Sequence, residues 1–323
     1  MRPVVALVTG VGYIGAQLVR DLLDQGEEVV GLENFFSTRP GQLEALRTHP
    51  RFILLQGSIA NPRALRTALE RASPRVVYHL AGQSSAHPDA ASVHYLERSN
   101  LVGPRLLFEA LRDRGVEVVV LGSSFRVLGD ELPPVVDEAQ PYGRVGDLSH
   151  LSKIYLEKLA EMLAYQGGPR VVSARLGISY GLSPVMKDDP RFQTAPNRFC
   201  AQAAAGERLR VLATRPAGFI HVRDAARALR LAAELPATTP YRVVNAAAEV
   251  LTVGEVAQLV RAIGQQRGLA VEIEGEVAAS PQRFEVRSTL TNHGFQPQHS
   301  MPEALPEVLD FFLARRGAGA RAQ

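Results

Sequence analysis

The chain has 323 residues, 46% hydrophobic and 21% charged, which places it among globular proteins and away from disordered ones. Its 36 basic and 33 acidic residues leave a net charge of +3 without a dense basic stripe, and it has no tryptophan, so no nucleic-acid partner is expected. No apolar run is long enough for a membrane span, and the single cysteine, Cys200, excludes an internal disulfide framework, which fits a cytoplasmic protein.

Residues 4–9 are an apolar, β-branched run predicted as a strand, followed by a helix over 15–25 with Leu18, Leu22 and Leu23 inward. Further strands are predicted over 29–33, 52–56, 75–80, 116–122 and 171–176, separated by helices over 41–48, 62–71, 95–114 and 149–166. This alternation predicts an α/β fold, a Rossmann-type doubly wound parallel sheet, with strands apolar throughout because helices cover both faces. After residue 176 the pattern loosens. Residues 177–198, rich in Pro, Asp and Gly, read as a long ligand-contacting loop. A helix over 199–206, a strand over 208–212, a helix within 221–235, a strand over 241–245 and a Thr252-capped helix over 252–265 follow. The expected organisation is a cofactor domain over 1–176 that also receives about 214–245. A smaller mixed α/β substrate lobe takes 177–213 and 246–315, and 316–323 form a flexible tail.

Gly10, Gly12 and Gly15, with Tyr13 and Ile14 between the last two, lie directly after the first strand and open the first helix. That context is the one a dinucleotide loop requires: a tight turn, close approach of backbone to pyrophosphate, and free N–H groups at a helix start. Glu33 ends the second strand, where a carboxylate accepts from ribose hydroxyls and repels a 2′-phosphate. NAD is therefore favoured over NADP, although Arg39 lies nearby.

Five further stretches carry a resemblance: residues 30–34 (VGLEN), 79–83 (HLAGQ), Asn100 before 101–103, 123–129 (SSFRVLG) and 218–224 (GFIHVRD). With the glycine loop and Lys153, they make the chain resemble, over nearly its whole length, the extended short-chain dehydrogenases/reductases that act as nucleotide-sugar epimerases and dehydratases. Within that family, residues 194–204 (TAPNRFCAQAA) and 177–181 are similar to the UDP-sulfoquinovose synthase branch. The resemblance implies that Asn34, Ser58, Ile59, Leu80, Ala81, Gly82, Gln83, Asn100, Ser123 and Lys153 join the glycine loop and Glu33 at the cofactor. It implies that Ser124 and Lys153 are catalytic, and that Ser85, Ser124, Asn197, Arg198, Arg215 and Arg287 contact a nucleotide-diphosphate sugar. The implied reaction passes through transient hydride transfer and a keto intermediate, in a homodimer paired through helices 95–114 and 149–166.

The departures are specific. The glycine loop is one residue short of the family spacing; Ser58 replaces an aspartate, Leu128 a tyrosine and Ala217 an arginine. The largest is Ser149, four residues before Lys153, where the family carries the tyrosine that exchanges the proton. A serine hydroxyl is shorter and a far weaker acid. Three readings stay open: His150 or Tyr142 supplies the proton-transferring group, the substrate or a water relay does, or the protein binds its ligands without catalysis. A reductase or lyase of another small metabolite is a further alternative. No metal is expected, since Asp188 and Asp189 lack companion ligands, and Cys200 has no paired histidine motif that would make it a nucleophile.

Overall fold

In the first strand, Val5–Thr9, Ala6 and Val8 face one side and Leu7 the other, and both sides are buried. The computed structural model describes residues 5–85, 87, 89–277 and 283–321; position 4 of the predicted first strand and positions 322–323 of the predicted tail lie outside them. Seven parallel strands form the main sheet. From edge to edge they are Tyr241–Ala246, Arg170–Leu176, Val118–Ser124, Val76–His79, Val5–Thr9, Glu28–Glu33 and Phe52–Gln56. Helices Tyr13–Asp24 and Val222–Glu234 bury Leu18, Leu22, Ala225 and Leu229 on one face. Helices Pro62–Ala72, Gly103–Leu111 and Leu148–Tyr165 bury Leu65, Leu69, Leu107, Leu156 and Ala160 on the other. Strand order reverses between Val5–Thr9 and Val76–His79, and the crevice at the carboxyl ends there is where such sheets take ligands.

Beyond the sheet, a three-stranded sheet orders Glu249–Thr252, Pro216–His221 and Ile178–Tyr180. Helices Ala195–Ala205, Val253–Gln266 and Met301–Arg321 pack around Phe199, Phe219, Val260 and Leu305. Thr252 caps its helix as expected, in a reciprocal box with Glu255.

Several elements differ from the sequence expectation. The helix expected over 95–114 is Val93–Glu97, a π turn Arg98–Val102 and Gly103–Leu111. Pro104 lacks the N–H that residue 100 would receive, and the Gly103 N–H bonds five residues back to Arg98. The helix expected from 199 begins at Ala195, with Pro196 in its first turn, a start signal visible in the sequence. The loop 177–198 also carries the strand Ile178–Tyr180 and a 3₁₀ turn Pro190–Phe192. Of the strand expected over 208–212, only Leu209–Arg210 pairs, with Ile273–Glu274. Met301–Arg321 is a helix no periodicity argument anticipated, held by Leu305, Val308 and Leu309 and running through the first six residues of the expected tail.

Candidate active site

A cleft of about 310 Å³ opens at the carboxyl ends of the central strands. Gly10 holds φ +83°, its N–H bonds to Leu32 carbonyl at 2.8 Å, and a Cβ there would lie 2.5 Å from Ala81 N. A Cβ at Gly15 would meet the Gly10 carbonyl at 2.0 Å, so both positions require glycine. Gly12 has an ordinary φ of −84°; its bare face matters because the cleft and the Lys187 ammonium lie against it. Val11, the middle of the shortened loop, is fully buried over Gly31, where a Cβ would lie 2.8 Å from the valine methyl.

All the predicted cofactor residues except Asn100 line the cleft: Gly10, Gly12, Tyr13, Ile14, Gly15, Glu33, Asn34, Ser58, Ile59, Leu80, Ala81, Gly82, Gln83, Ser123 and Lys153. Glu33 is buried and accepts the Phe35 N–H at 2.8 Å, while Asn34 donates to the Tyr95 hydroxyl at 2.9 Å. Asn100 stands one layer back. Its amide accepts from Gln83 N–H at 2.8 Å and donates to Gln83 carbonyl at 2.7 Å and Ser152 Oγ at 2.9 Å. It fixes the 80–83 loop rather than facing a ligand, and the π turn is what aims it inward.

Ser124, Ser149, His150 and Lys153 share the other end of the cleft. Lys153 Nζ donates to Gly122 carbonyl at 2.6 Å, and burial pulls its pKa down to about 8 against the opposing pull of Glu157. Ser124 Oγ accepts the Arg126 N–H at 3.2 Å, whereas Ser149 Oγ donates to Gln83 carbonyl at 3.1 Å. His150 Nδ1 lies 2.6 Å from Asp147 Oδ2, and the same carboxylate caps the helix. A carboxylate on Nδ1 leaves Nε2 as the nitrogen available to exchange a proton.

Tyr142 is not at this end. Its hydroxyl donates to Glu157 at 3.0 Å, and burial, reinforced by that carboxylate, drives its pKa well above the ordinary range. Glu157, fully buried, also receives Ser123 Oγ and a guanidinium bond from Arg175 at 2.9 Å. Ser123 therefore faces the cleft with its hydroxyl committed to the interior.

The predicted substrate residues divide. Ser85 donates to Arg191 carbonyl, and Asn197 donates to the Tyr13 hydroxyl at 3.0 Å and accepts from Gly181 N–H at 3.1 Å; neither lines the cleft. Arg215 and Arg287 lie outside it in exposed ion pairs with Glu131 and Glu285, at 3.9 and 2.9 Å. Arg198 also lies outside the lining and is half-buried at the start of helix Ala195–Ala205.

Sequence reasoning missed Phe36, Ser37, Thr38, Tyr95, Arg126, Lys187 and Phe192, all of which line the cleft. Phe36 stacks on Tyr95 at 3.8 Å and meets Phe192 edge-on at 5.8 Å, an aromatic wall beside Asn34. It missed Asp147 too, although an N-cap aspartate three residues before a histidine was legible.

Among the described residues, His221, Asp224 and His299 bring three possible metal-ligand atoms together. The two imidazoles stack at 4.2 Å and 16°, whereas a metal must lie in the plane of each ring it binds. Asp224 is already occupied by the N–H groups of Gln298 and His299, each at 3.0 Å, and by Arg227 at 2.9 Å. The cluster is a brace at the start of helix Val222–Glu234. Among the described residues no helix is long and apolar enough to cross a membrane.

Comparison with known proteins agrees with this geometry. UDP-glucuronate 4-epimerase of Thermodesulfobacterium geofontis is 31% identical over 134 residues, 40% of this chain and only 42% of that protein. UDP-sulfoquinovose synthase of Sulfolobus acidocaldarius is 25% identical over 355 residues, 92% of this chain and 89% of that protein, in line with the likeness noted at residues 194–204. The UDP-glucose 4-epimerase of Thermus thermophilus, solved in complex with NAD, superposes with a TM-score of 0.78 at 25% identity, over 97% of this chain and 99% of that one. The model of the NAD dependent epimerase/dehydratase family matches residues 6–247, three quarters of the chain, and the protein belongs to that family.

Proposed function

We propose that the protein modifies a nucleotide-diphosphate sugar with NAD, as an epimerase, dehydratase or synthase, and that His150 exchanges the proton in place of the missing tyrosine. The observation that carries this reading is the Asp147–His150 pair facing the cleft beside Ser124 and Lys153. NAD, when bound, supplies a reversible hydride acceptor. The chain's own groups do the rest: Ser124 hydrogen-bonds the reacting hydroxyl, His150 Nε2 takes its proton, and Asp147 stabilises the imidazolium. Lys153 holds the ribose on the nicotinamide side. In this division of labour the sheet part, 1–176 with about 214–245, holds NAD, and the remainder holds the sugar nucleotide. The test is NAD content of the purified chain together with conversion of UDP-glucose, UDP-galactose and UDP-glucuronate. Bound NAD and a new sugar nucleotide are expected; bound NAD with no product from a broader panel points to a non-catalytic binding protein.

The proposed assembly is a homodimer. Leu148, Leu151, Tyr155, Met162 and Tyr165 are all exposed and recur at heptad spacing along one face of helix Leu148–Tyr165. A second copy of that face is the occupant we assign to it. Leu151→Glu combined with Met162→Glu is expected to halve the mass seen by light scattering while NAD binding persists; a monomeric wild type sinks the assignment.

A further inference from the structure

We propose that Lys187 supplies the positive charge of a cofactor-phosphate site, a cation brought from the segment after strand Ile178–Tyr180 to complete an anion nest over the glycine loop. The inference rests on the NAD reading above. Lys187 Nζ donates to Ser37 carbonyl at 2.9 Å, Ser37 Oγ at 2.8 Å and Thr38 Oγ1 at 3.1 Å. These three neutral oxygens satisfy its donors and leave its charge without a contacting carboxylate, since Lys187 joins no ion pair among the described residues and Glu33 and Asp188 act on it only at longer range. A charge this enclosed is costly unless an anion shares the site. The opening beside it is the cleft, which Lys187, Ser37 and Thr38 all line.

Direction supports the assignment. A Cβ added to Gly12 would sit 3.3 Å from the ammonium and 3.6 Å from Thr38 Oγ1, so both face the bare backbone at the start of helix Tyr13–Asp24. That helix has no acidic residue in its first turn to compete for its free N–H groups. Because the two hydroxyls accept from Lys187, their own hydrogens are free to donate into the cleft. Backbone N–H groups, two oriented hydroxyls and one ammonium then converge where a pyrophosphate would lie.

The segment is also fastened there. Ser183 Oγ donates to Tyr13 carbonyl at 2.6 Å, Gln42 Nε2 to Met186 carbonyl at 2.5 Å, and Asp188 pairs with Arg39 at 3.3 Å and Arg315 at 2.5 Å. The segment therefore holds its place without the Lys187 bonds to Ser37 and Thr38, and a tether there would be redundant.

The test is equilibrium binding of ADP, adenosine, NAD and NADP to the full chain freed of nucleotide, with Lys187→Met and Lys187→Arg beside wild type. Lys187→Met is expected to weaken ADP and NAD roughly tenfold, because it removes the positive charge and the orientation of the two hydroxyls that the ammonium holds, and adenosine by less than about twofold. Lys187→Arg is expected to keep most of the ADP affinity, which excludes misfolding as the cause. Unchanged ADP binding, equal losses for ADP and adenosine, or a loss confined to NADP each overturn the assignment. A wild-type chain that binds no NAD overturns the reading beneath it as well, so the two failures are told apart by the wild type.

Discussion

His150→Gln is expected to lower kcat by roughly two to four orders of magnitude, the range lost with a positioned acid/base group, while NAD content stays at the wild-type level. Glutamine keeps much of the length and polarity of the side chain and removes its ability to exchange a proton. Asp147→Asn is expected to act in the same direction, because an amide opposite Nδ1 turns the imidazole to the wrong tautomer. Ser149→Tyr in the His150→Gln background separates the explanations: recovery of turnover shows that the cleft still accepts the family's phenol. The assignment is overturned if His150→Gln turns over within about threefold of wild type, which would leave a water relay or the substrate itself as proton carrier.

Glu157→Ala is expected to be the most damaging single change to stability, costing roughly 3–5 kcal/mol in urea unfolding. Glu157 is fully buried, and Arg175 beside it is 4% exposed. Removing the carboxylate leaves a buried guanidinium unpaired, and it takes the acceptor from Ser123 and from Tyr142 at 3.0 Å. The double replacement Glu157→Leu with Arg175→Leu is expected to cost less than Glu157→Ala, because it buries neither charge. A loss below about 1 kcal/mol for Glu157→Ala would show that Arg175 finds another partner. Lys153 lies one helical turn from Glu157, so this network also seats the cleft-lining end of the helix.

The glycine loop was legible because backbone geometry leaves a direct mark on sequence: Gly10 and Gly15 have no room for a Cβ. The sheet was legible because buried parallel strands need continuous apolar runs. Lys187 and Phe192 were not, since they come from a segment whose path depends on contacts with residues some 150 positions away, such as Lys187 with Ser37. Arg175 and Glu157 sit in elements predicted correctly, yet nothing local says that the two charges pair inside. Asn100 was placed at the cofactor by resemblance, whereas the π turn created by Pro104 gives it a supporting role. Arg287 was placed at a diphosphate and lies in an exposed pair with Glu285.

Tyr13 belongs to the phosphate loop, yet its hydroxyl donates to Gly181 carbonyl at 2.7 Å and receives the Asn197 amide at 3.0 Å, 184 positions along the chain. Positions 13 and 197 are therefore physically coupled. A phenylalanine at 13 would leave the buried Asn197 amide with only its long bond to Gly181 carbonyl at 3.4 Å, and an apolar residue at 197 would leave the Gly181 N–H without its acceptor. The helix that starts at Ala195 and the glycine loop are thereby coupled mechanically, so that a shift of either one is transmitted to the other through that one shared pair.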